Sequence, residues 1–396
     1  MRITILSREF PPGPGGIGTH ACQLANEFAA FGWRVSVVTP QDYAADEEIR
    51  EFNASLPYPI VRLPSRRGLA IEAVHRWKVL SEHLRRFSPD VLLASGQRSV
   101  WLGSLLAARH GLPCVAIGHG SEFGAASGWK HWLTRRSYQR AAAVICVSEF
   151  TWRFMESRNI QPRAGRIIPN GADETRFVKY SDDEVQRFRR KIGMQDARIL
   201  LTVGNVTERK GQEVVIRALP QILEAHPNTH YCMAGLPTLR PQLSMLASEL
   251  GVGDHVHFLG RTDARTLLAY MNACDVFVMT SRQTREGDCE GFGIAVVEAA
   301  LCGKPAVVSA GSGLAEAIVD GETGLTVPQG NPQAAAEAIR RLLDDDALRG
   351  RMGEAARRRA LAEQTSRRRA EQYDRFLREL VRPVAERRQT EPVATM

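Results

Sequence analysis

The sequence contains no run of roughly 18 apolar residues, so no segment reads as a membrane span. Its seven cysteines, at 22, 114, 146, 232, 274, 289 and 302, include no CxxC pair and no His-Cys cluster. That argues against a zinc site and against a disulfide framework, and for a reducing cytosol. Most of these thiols are expected to pack as small core hydrophobes. The start, MRITILSREFPP, has too short an apolar part for a signal peptide and reads as a first β-strand. No short-period repeat is present. No helix-turn-helix or RNA-binding signature is present either, so nucleic acid is not an expected partner.

What is present is an ordinary globular composition, 44% hydrophobic and 24% charged. At 396 residues the chain exceeds the size at which one core usually splits, so two domains are expected. The net charge of +8 is uneven: residues 1–178 hold 22 Lys/Arg against 15 Asp/Glu, which places +7 there. One basic cluster contains Arg66, Arg67 and Trp77, with Arg62, Arg76 and Lys78 nearby. The other, GWKHWLTRRSYQR, contains Trp129, Trp132, Arg135, Arg136 and Arg140. Basic residues interleaved with tryptophan suit an anionic membrane surface, although a solvated helix face has the same composition.

Short apolar runs alternate with helical patterns along the chain, the signature of βαβ units and parallel sheets. Strands are expected at Ile3–Ser7, Val35–Thr39, Val91–Ala94, Cys114–His119 and Val144–Ser148. A second series follows at Ile199–Gly204, His230–Ala234, Val256–Leu259, Val276–Thr280, Ala306–Ser309 and Gly324–Val327. The reading is α/β: two doubly wound, Rossmann-like domains over 1–178 and 195–365. A helical stretch follows, and a disordered tail is expected over 386–396.

The most informative stretch is EGFGIAVVEAALCGKPAVV. Glu290 precedes a buried helix and Glu298 lies eight residues on, expected two turns into it. Apolar strands on both sides place the loop at the carboxyl end of a parallel sheet, where open α/β folds bind ligands. A helix start presents backbone N–H groups and a positive dipole end, here around Phe292, Gly293 and Ile294, and so suits an anionic diphosphate. Carboxylates on either side can accept hydrogen bonds from hydroxyls. The pattern fits a nucleotide sugar, with Glu290 beside the sugar and Glu298 beside the ribose. Two solvated acids on a core helix would also fit the spacing.

Gly13, Gly15 and Gly18 spell GxGxxG, yet five residues separate them from the first strand and Pro14 interrupts them. The second strand also ends in Thr39-Pro40 without an acid to hold a ribose, so NAD is not expected. The better reading is a mobile loop whose Gly16 and Gly18 let backbone approach a phosphate before a helix beginning at Thr19. His119 follows a strand and can project into a cleft, though histidines that merely finish a strand are common. In the loop TVGNVTERKG, Lys210 can reach a diphosphate and neutralise leaving-group charge without a metal. Pro169-Asn170-Gly171 reads as a turn at the domain boundary, with Gly171 at positive φ.

FPPGPGGIG, HGSE, VSEF, IPNGAD, TERKG, EGFGIAVVEA and DGETG, spread over nearly the whole chain, resemble glycosyltransferase family 4. That family comprises retaining transferases of the GT-B fold. The resemblance implies two Rossmann-like domains facing a cleft, with a C-terminal helix at about 366–385 crossing back to the first domain. It implies that Glu298 holds the ribose and Glu290 contacts the transferred sugar. Lys210 and the N–H groups of Phe292–Ile294 would hold the diphosphate, Gly16 and Gly18 would close over it, and His119 would lie near the reacting carbon. Retention, with the leaving phosphate taking the acceptor's proton, is likewise implied. The loop SRQTREGDCEGFG looks most like members that use GDP-mannose, some on lipid-linked acceptors in cell-envelope or exopolysaccharide synthesis. A UDP-sugar is the next donor. A cytoplasmic enzyme, peripheral on the inner face of the membrane, is the corresponding expectation.

One departure concerns Asn205, where relatives carry a second cation for the diphosphate; Arg209 is the expected substitute. Asp344-Asp345-Asp346 imitates a metal-binding DxD between two helices but reads as a solvated turn, so no cofactor and no essential metal are expected. A nucleotide-sugar epimerase of the same fold and a non-catalytic nucleotide-sugar binder are the alternatives.

Overall fold

The computed structural model describes residues 1–13, 15–41, 44–64 and 69–390. The chain forms two compact units. The first comprises 1–147, 151–169 and the chain from Ser366 onward; the second comprises 148–150 and 170–365. The first border lies ahead of residue 178 because Ala172 already belongs to the second unit. Its N–H donates to the Gln364 carbonyl at 3.0 Å, and it bridges Thr365 in parallel. The extended pairing also explains why Gly171, expected at positive φ, is not left-handed.

Seven parallel strands make the first unit's sheet: β1 (Arg2–Ser7), β2 (Arg34–Gln41), β3 (Ile60–Pro64), β4 (Val91–Ser95), β5 (Cys114–Gly118), β6 (Ala143–Cys146) and β7 (Gly165–Ile167). Their order is β3-β2-β1-β4-β5-β6-β7, with Ile3 of β1 opposite both Val35 and Val91. Strands β4, β5 and β6 are buried at every position, as unbroken apolar runs require when both sheet faces are covered. The helices in chain order up to the second sheet are α1 (Gly16–Ala30), α2 (Asp46–Ala54), α3 (Leu69–Phe87), α4 (Gln97–Arg109), α5 (Gly128–Arg140), α6 (Glu149–Ser157) and α7 (Asp182–Lys191).

Six parallel strands make the second sheet: β8 (Arg198–Val203), β9 (Thr229–Ala234), β10 (Val256–Gly260), β11 (Val276–Met279), β12 (Ala306–Ser309) and β13 (Gly324–Val327). The order is β10-β9-β8-β11-β12-β13. Its helices are α8 (Gln212–Ala225), α9 (Arg240–Glu249), α10 (Ala264–Ala273), α11 (Ile294–Leu301), α12 (Leu314–Ala317), α13 (Pro332–Asp344) and α14 (Asp346–Glu363). Strand order reverses at β1/β4 in the first sheet and at β8/β11 in the second. Such switch points leave a crevice at the strand carboxyl ends.

The last helix, α15 (Ser366–Thr390), packs with the first unit. Trp33 Nε1 donates to Asp374 at 2.6 Å, and Tyr373 and Leu377 are fully buried. Each such side chain contributes about 1.5–3 kcal/mol by burial. The helix covers 386–390, part of the expected tail, because good helix formers (AERRQ) continue it. Residues 391–396 lie outside the described residues.

Candidate active site

The second unit's site begins in the loop after β8. Gly211 has φ +66°, and a Cβ there would meet the Thr280 carbonyl oxygen at 2.1 Å, so only glycine fits. Thr280 Oγ1 donates to the Gly211 carbonyl at 2.9 Å, which pins the turn carrying Arg209 and Lys210 to the end of β11. The Lys210 stem lies against Gly204, where a Cβ would approach Lys210 Cε to 3.0 Å.

Both cations converge on Glu290, in the loop after β11. Lys210 Nζ donates to Glu290 Oε2 at 2.7 Å, and Arg209 Nη1 donates to the same oxygen. Arg209 Nε also faces Asp288 at 3.2 Å. Burial alone would raise the Glu290 carboxyl, but Arg209 and Lys210 outweigh it and hold the group at about 2. Burial lowers Lys210, with Glu290 opposing the effect, whereas Glu290 raises Arg209 against its own burial. Two cations thus share one oxygen of the Glu290 carboxylate.

Glycines then turn the chain into α11. A Cβ on Gly313 would lie 1.8 Å from the Gly291 carbonyl oxygen, and Gly313 N–H donates to the Glu290 carbonyl at 3.0 Å. Gly293, at φ +86°, precedes Ile294, the first helical residue, while the Phe292 ring is buried beneath the turn. No side chain caps this helix and no acid sits in its first turn, which suits it to an incoming anion. Glu298 is the fifth helical residue, just over one turn in rather than two. It is 8% exposed, and burial raises its carboxyl to about 7, with Arg176 the largest opposing charge.

Asn205 bonds to the loop after β9 and to the first residue of α8. Its Oδ1 accepts the Leu236 N–H at 3.2 Å and its carbonyl accepts from Gln212 Nε2 at 3.1 Å.

In the first unit, His119 follows β5. Its Nε2 lies 2.8 Å from Ser95 Oγ at the end of β4, and its N–H donates to Glu122 Oε1 at 2.8 Å. Burial lowers the imidazole to about 4, so it is neutral near pH 7. The expected mobile loop around Gly16 and Gly18 is instead the first turn of α1. Thr19 N–H bonds the Gly15 carbonyl at 3.0 Å, starting the helix three residues early. Gly18 is buried against Glu9 and Phe10, where a Cβ would come within 3.0 Å of Phe10 N.

Of the basic surface, Trp132, Arg135 and Arg136 are exposed on α5, and Arg140 is half-buried at its end. Trp77, expected at the surface, packs against the first unit's core, because its position on α3 falls on the side facing the sheet. Arg66 and Arg67 lie outside the described residues. No helix among the described residues is long and apolar enough to cross a membrane. In the acidic triplet, Asp345 caps α14 through Leu348 N–H, Asp344 pairs with His226 and Asp346 with Arg198 and Arg349. Sequence reading missed Asp288, Arg176 and Ser95, whose parts depend on contacts distant in the chain. Only the acid pair Asp288 and Glu290 left a local trace.

Comparison with known proteins agrees with this architecture. Residues 14–176 match Glycosyltransferase Family 4, and residues 184–359 match Glycosyl transferases group 1. A GDP-mannose-dependent alpha-(1-6)-phosphatidylinositol monomannoside mannosyltransferase of Mycolicibacterium smegmatis is 30% identical over 376 residues, covering 91% of this chain and 94% of its own. A GDP-mannose-dependent monoacylated alpha-(1-6)-phosphatidylinositol monomannoside mannosyltransferase of Corynebacterium glutamicum is 27% identical over 371 residues, again covering 91% and 94%. Among solved structures, Anabaena HepE in complex with UDP and glucose superposes with TM-score 0.82 at 21% identity, covering 96% of this chain and all of that one. The chain is a glycosyltransferase of the GT-B fold and belongs to glycosyltransferase family 4.

Proposed function

We propose that the protein transfers a hexose, with retention, from a nucleoside diphosphate sugar to a lipid-linked or glycan acceptor, and that the donor is GDP-mannose. The observation that carries this reading is the convergence of Arg209 and Lys210 at the β8/β11 switch point, beside the uncapped start of α11. Two cations and a helix start suit a diphosphate and stabilise the charge that grows on it as the sugar departs. Positive charge from the chain itself serves that purpose, so no essential metal is invoked.

The diphosphate takes over the cations that Glu290 holds at rest. Glu290 then accepts from hydroxyls of the transferred sugar, and Glu298 from those of the ribose. Arg209 supplies the second cation that Asn205 lacks. On the first unit, Gly16 and Gly18 in the opening turn of α1 are assigned to the diphosphate, and neutral His119 to the sugar. The names of the Mycolicibacterium and Corynebacterium relatives support GDP-mannose and a lipid acceptor. The UDP complex of HepE makes UDP-sugars the next candidates.

A thermal-shift panel of GDP-, UDP-, ADP- and dTDP-sugars tests the donor, since ligand at 100 times its dissociation constant adds about 2.7 kcal/mol. GDP-mannose should shift the transition most. Nucleoside diphosphate should be released only when acceptor is present, and proton NMR of the product should show the donor's anomeric configuration. Interconversion of nucleotide sugars without acceptor would establish an epimerase instead.

A further inference from the structure

His119 is held through one ring nitrogen and open at the other. Ser95 ends β4 and lies opposite Ile117 of β5 in the parallel ladder. His119 comes two residues after Ile117, so the alternation of a strand sends both side chains to one sheet face. There Ser95 Oγ lies 2.8 Å from His119 Nε2, and Ser95 is fully buried. The imidazole is only half-buried, and its Nδ1 has no partner among the described residues.

Two further contacts hold the ring in place. The His119 N–H donates to Glu122 Oε1 at 2.8 Å, which fixes the backbone. On α1, buried His20 meets His119 edge-to-face, with ring centroids 5.5 Å apart. Burial, and then His119, hold the His20 imidazole well below its ordinary range, so two neutral rings face each other near pH 7.

A neutral imidazole carries its proton on one nitrogen, and the hydrogen bond made by the other nitrogen sets which one. With the proton on Nε2, the ring would donate to Ser95 Oγ. The buried Ser95 hydroxyl proton would then lack an acceptor, because Ser95 Oγ has no second partner among the described residues. Leaving a buried donor unpaired is costly. With the proton on Nδ1, the Ser95 O–H donates to Nε2 and the Nδ1–H faces the open edge, so every donor is satisfied or accessible.

We propose that Ser95 is a positioning residue that keeps His119 in the Nδ1–H tautomer, and that His119 thereby donates a hydrogen bond to an oxygen of the transferred hexose. An N–H at the open edge cannot take a proton from an attacking hydroxyl, so His119 orients the sugar and is not a general base. The sugar contact rests on the transferase reading; the tautomer does not.

The test is a long-range proton–nitrogen correlation spectrum of the nitrogen-15-labelled full chain, without nucleotide, near pH 7, where the ring is neutral. Loss of signals in H119Q identifies those of His119. The wild type should carry the proton on Nδ1. S95A should move the tautomer ratio toward Nε2–H by roughly 2- to 10-fold, the equivalent of one neutral hydrogen bond. An Nε2–H ring in the wild type, or an unchanged ratio in S95A, would overturn the proposal. GDP-mannose, at a concentration that saturates the thermal shift, should move the Nδ1 resonance more than bare GDP does. Equal effects of the two would overturn the sugar contact while the tautomer result stands.

Discussion

Glu298→Gln should stabilise the ligand-free protein while damaging its function, and the stabilisation should depend on pH in a defined direction. Glu298 is buried, and its carboxyl is raised from about 4.5 to about 7 by that burial. Between these values the folded chain keeps a proton that the unfolded chain has released. Stability therefore falls as pH rises through the window, by about 1.4 kcal/mol per unit. Across the whole window the cost approaches about 3 kcal/mol, complete above pH 7 and absent well below 4.5. Glutamine does not titrate, so its own curve lacks this slope.

The assay is urea unfolding of both proteins at several pH values, without nucleotide. The advantage of Glu298→Gln over wild type should grow by about 2–3 kcal/mol from about pH 5 to about pH 8. Any constant cost of burying the amide cancels in that comparison, as do the other titrating groups common to both chains. Parallel stability curves would refute the reasoning, for they would mean that the folded protein holds Glu298 ionised throughout.

Titrating bare nucleoside diphosphate separates the two carboxylates. Glu298→Ala should lose binding, whereas Glu290→Gln should bind at least as tightly as wild type, having released Arg209 and Lys210; equal weakening would show the roles misassigned. Arg209→Ala should cost roughly 1.5–3 kcal/mol of donor affinity, as for a charge-assisted hydrogen bond, and unchanged affinity by calorimetry would place Arg209 outside the donor site. Nucleotide affinity of the wild type should fall by up to about tenfold per pH unit below about 7, because the proposed ribose contact favours ionised Glu298. His119, held at about 4, should add no inflection between pH 5 and 8, and one that disappears in His119→Ala would contradict that assignment.

The central architecture was legible because its signals are local. The runs behind β12 and β13 match their strands residue for residue, and those behind β8 to β11 match within one residue at either end. Strands β3 and β7 escaped notice. Both are short sheet edges, covered on fewer sides, so neither needs a long apolar run. The early start of α1 was hidden because glycine is a poor helix former; packing of Gly18 on Phe10 overrides that preference. Half-buried Trp77 could not be placed in advance because composition does not report which side of a helix faces the core. The E-x7-E pair was visible by spacing, but its electrostatics were not. Those depend on Arg209 and Lys210, some 80 residues earlier in the chain.

That separation explains the unequal state of the two acids. Strands β8 and β11 are neighbours only because the sheet reverses its order there, so the loop of one delivers cations to the loop of the other. Glu290 receives both cations and is held near 2; Glu298 lies among apolar helix neighbours and rises to about 7. Environment has driven like groups apart, as it does where two carboxyls serve different ends. The resting contacts also solve a problem for Lys210, whose buried ammonium would be costly without a counter-charge. On the proposed reading, an incoming diphosphate exchanges one anion for another at these two cations. That exchange would reduce net affinity, because Glu290 must be displaced. On the same reading it leaves the Glu290 carboxylate beside the diphosphate where the sugar binds, so the group that now holds Arg209 and Lys210 would become the sugar contact.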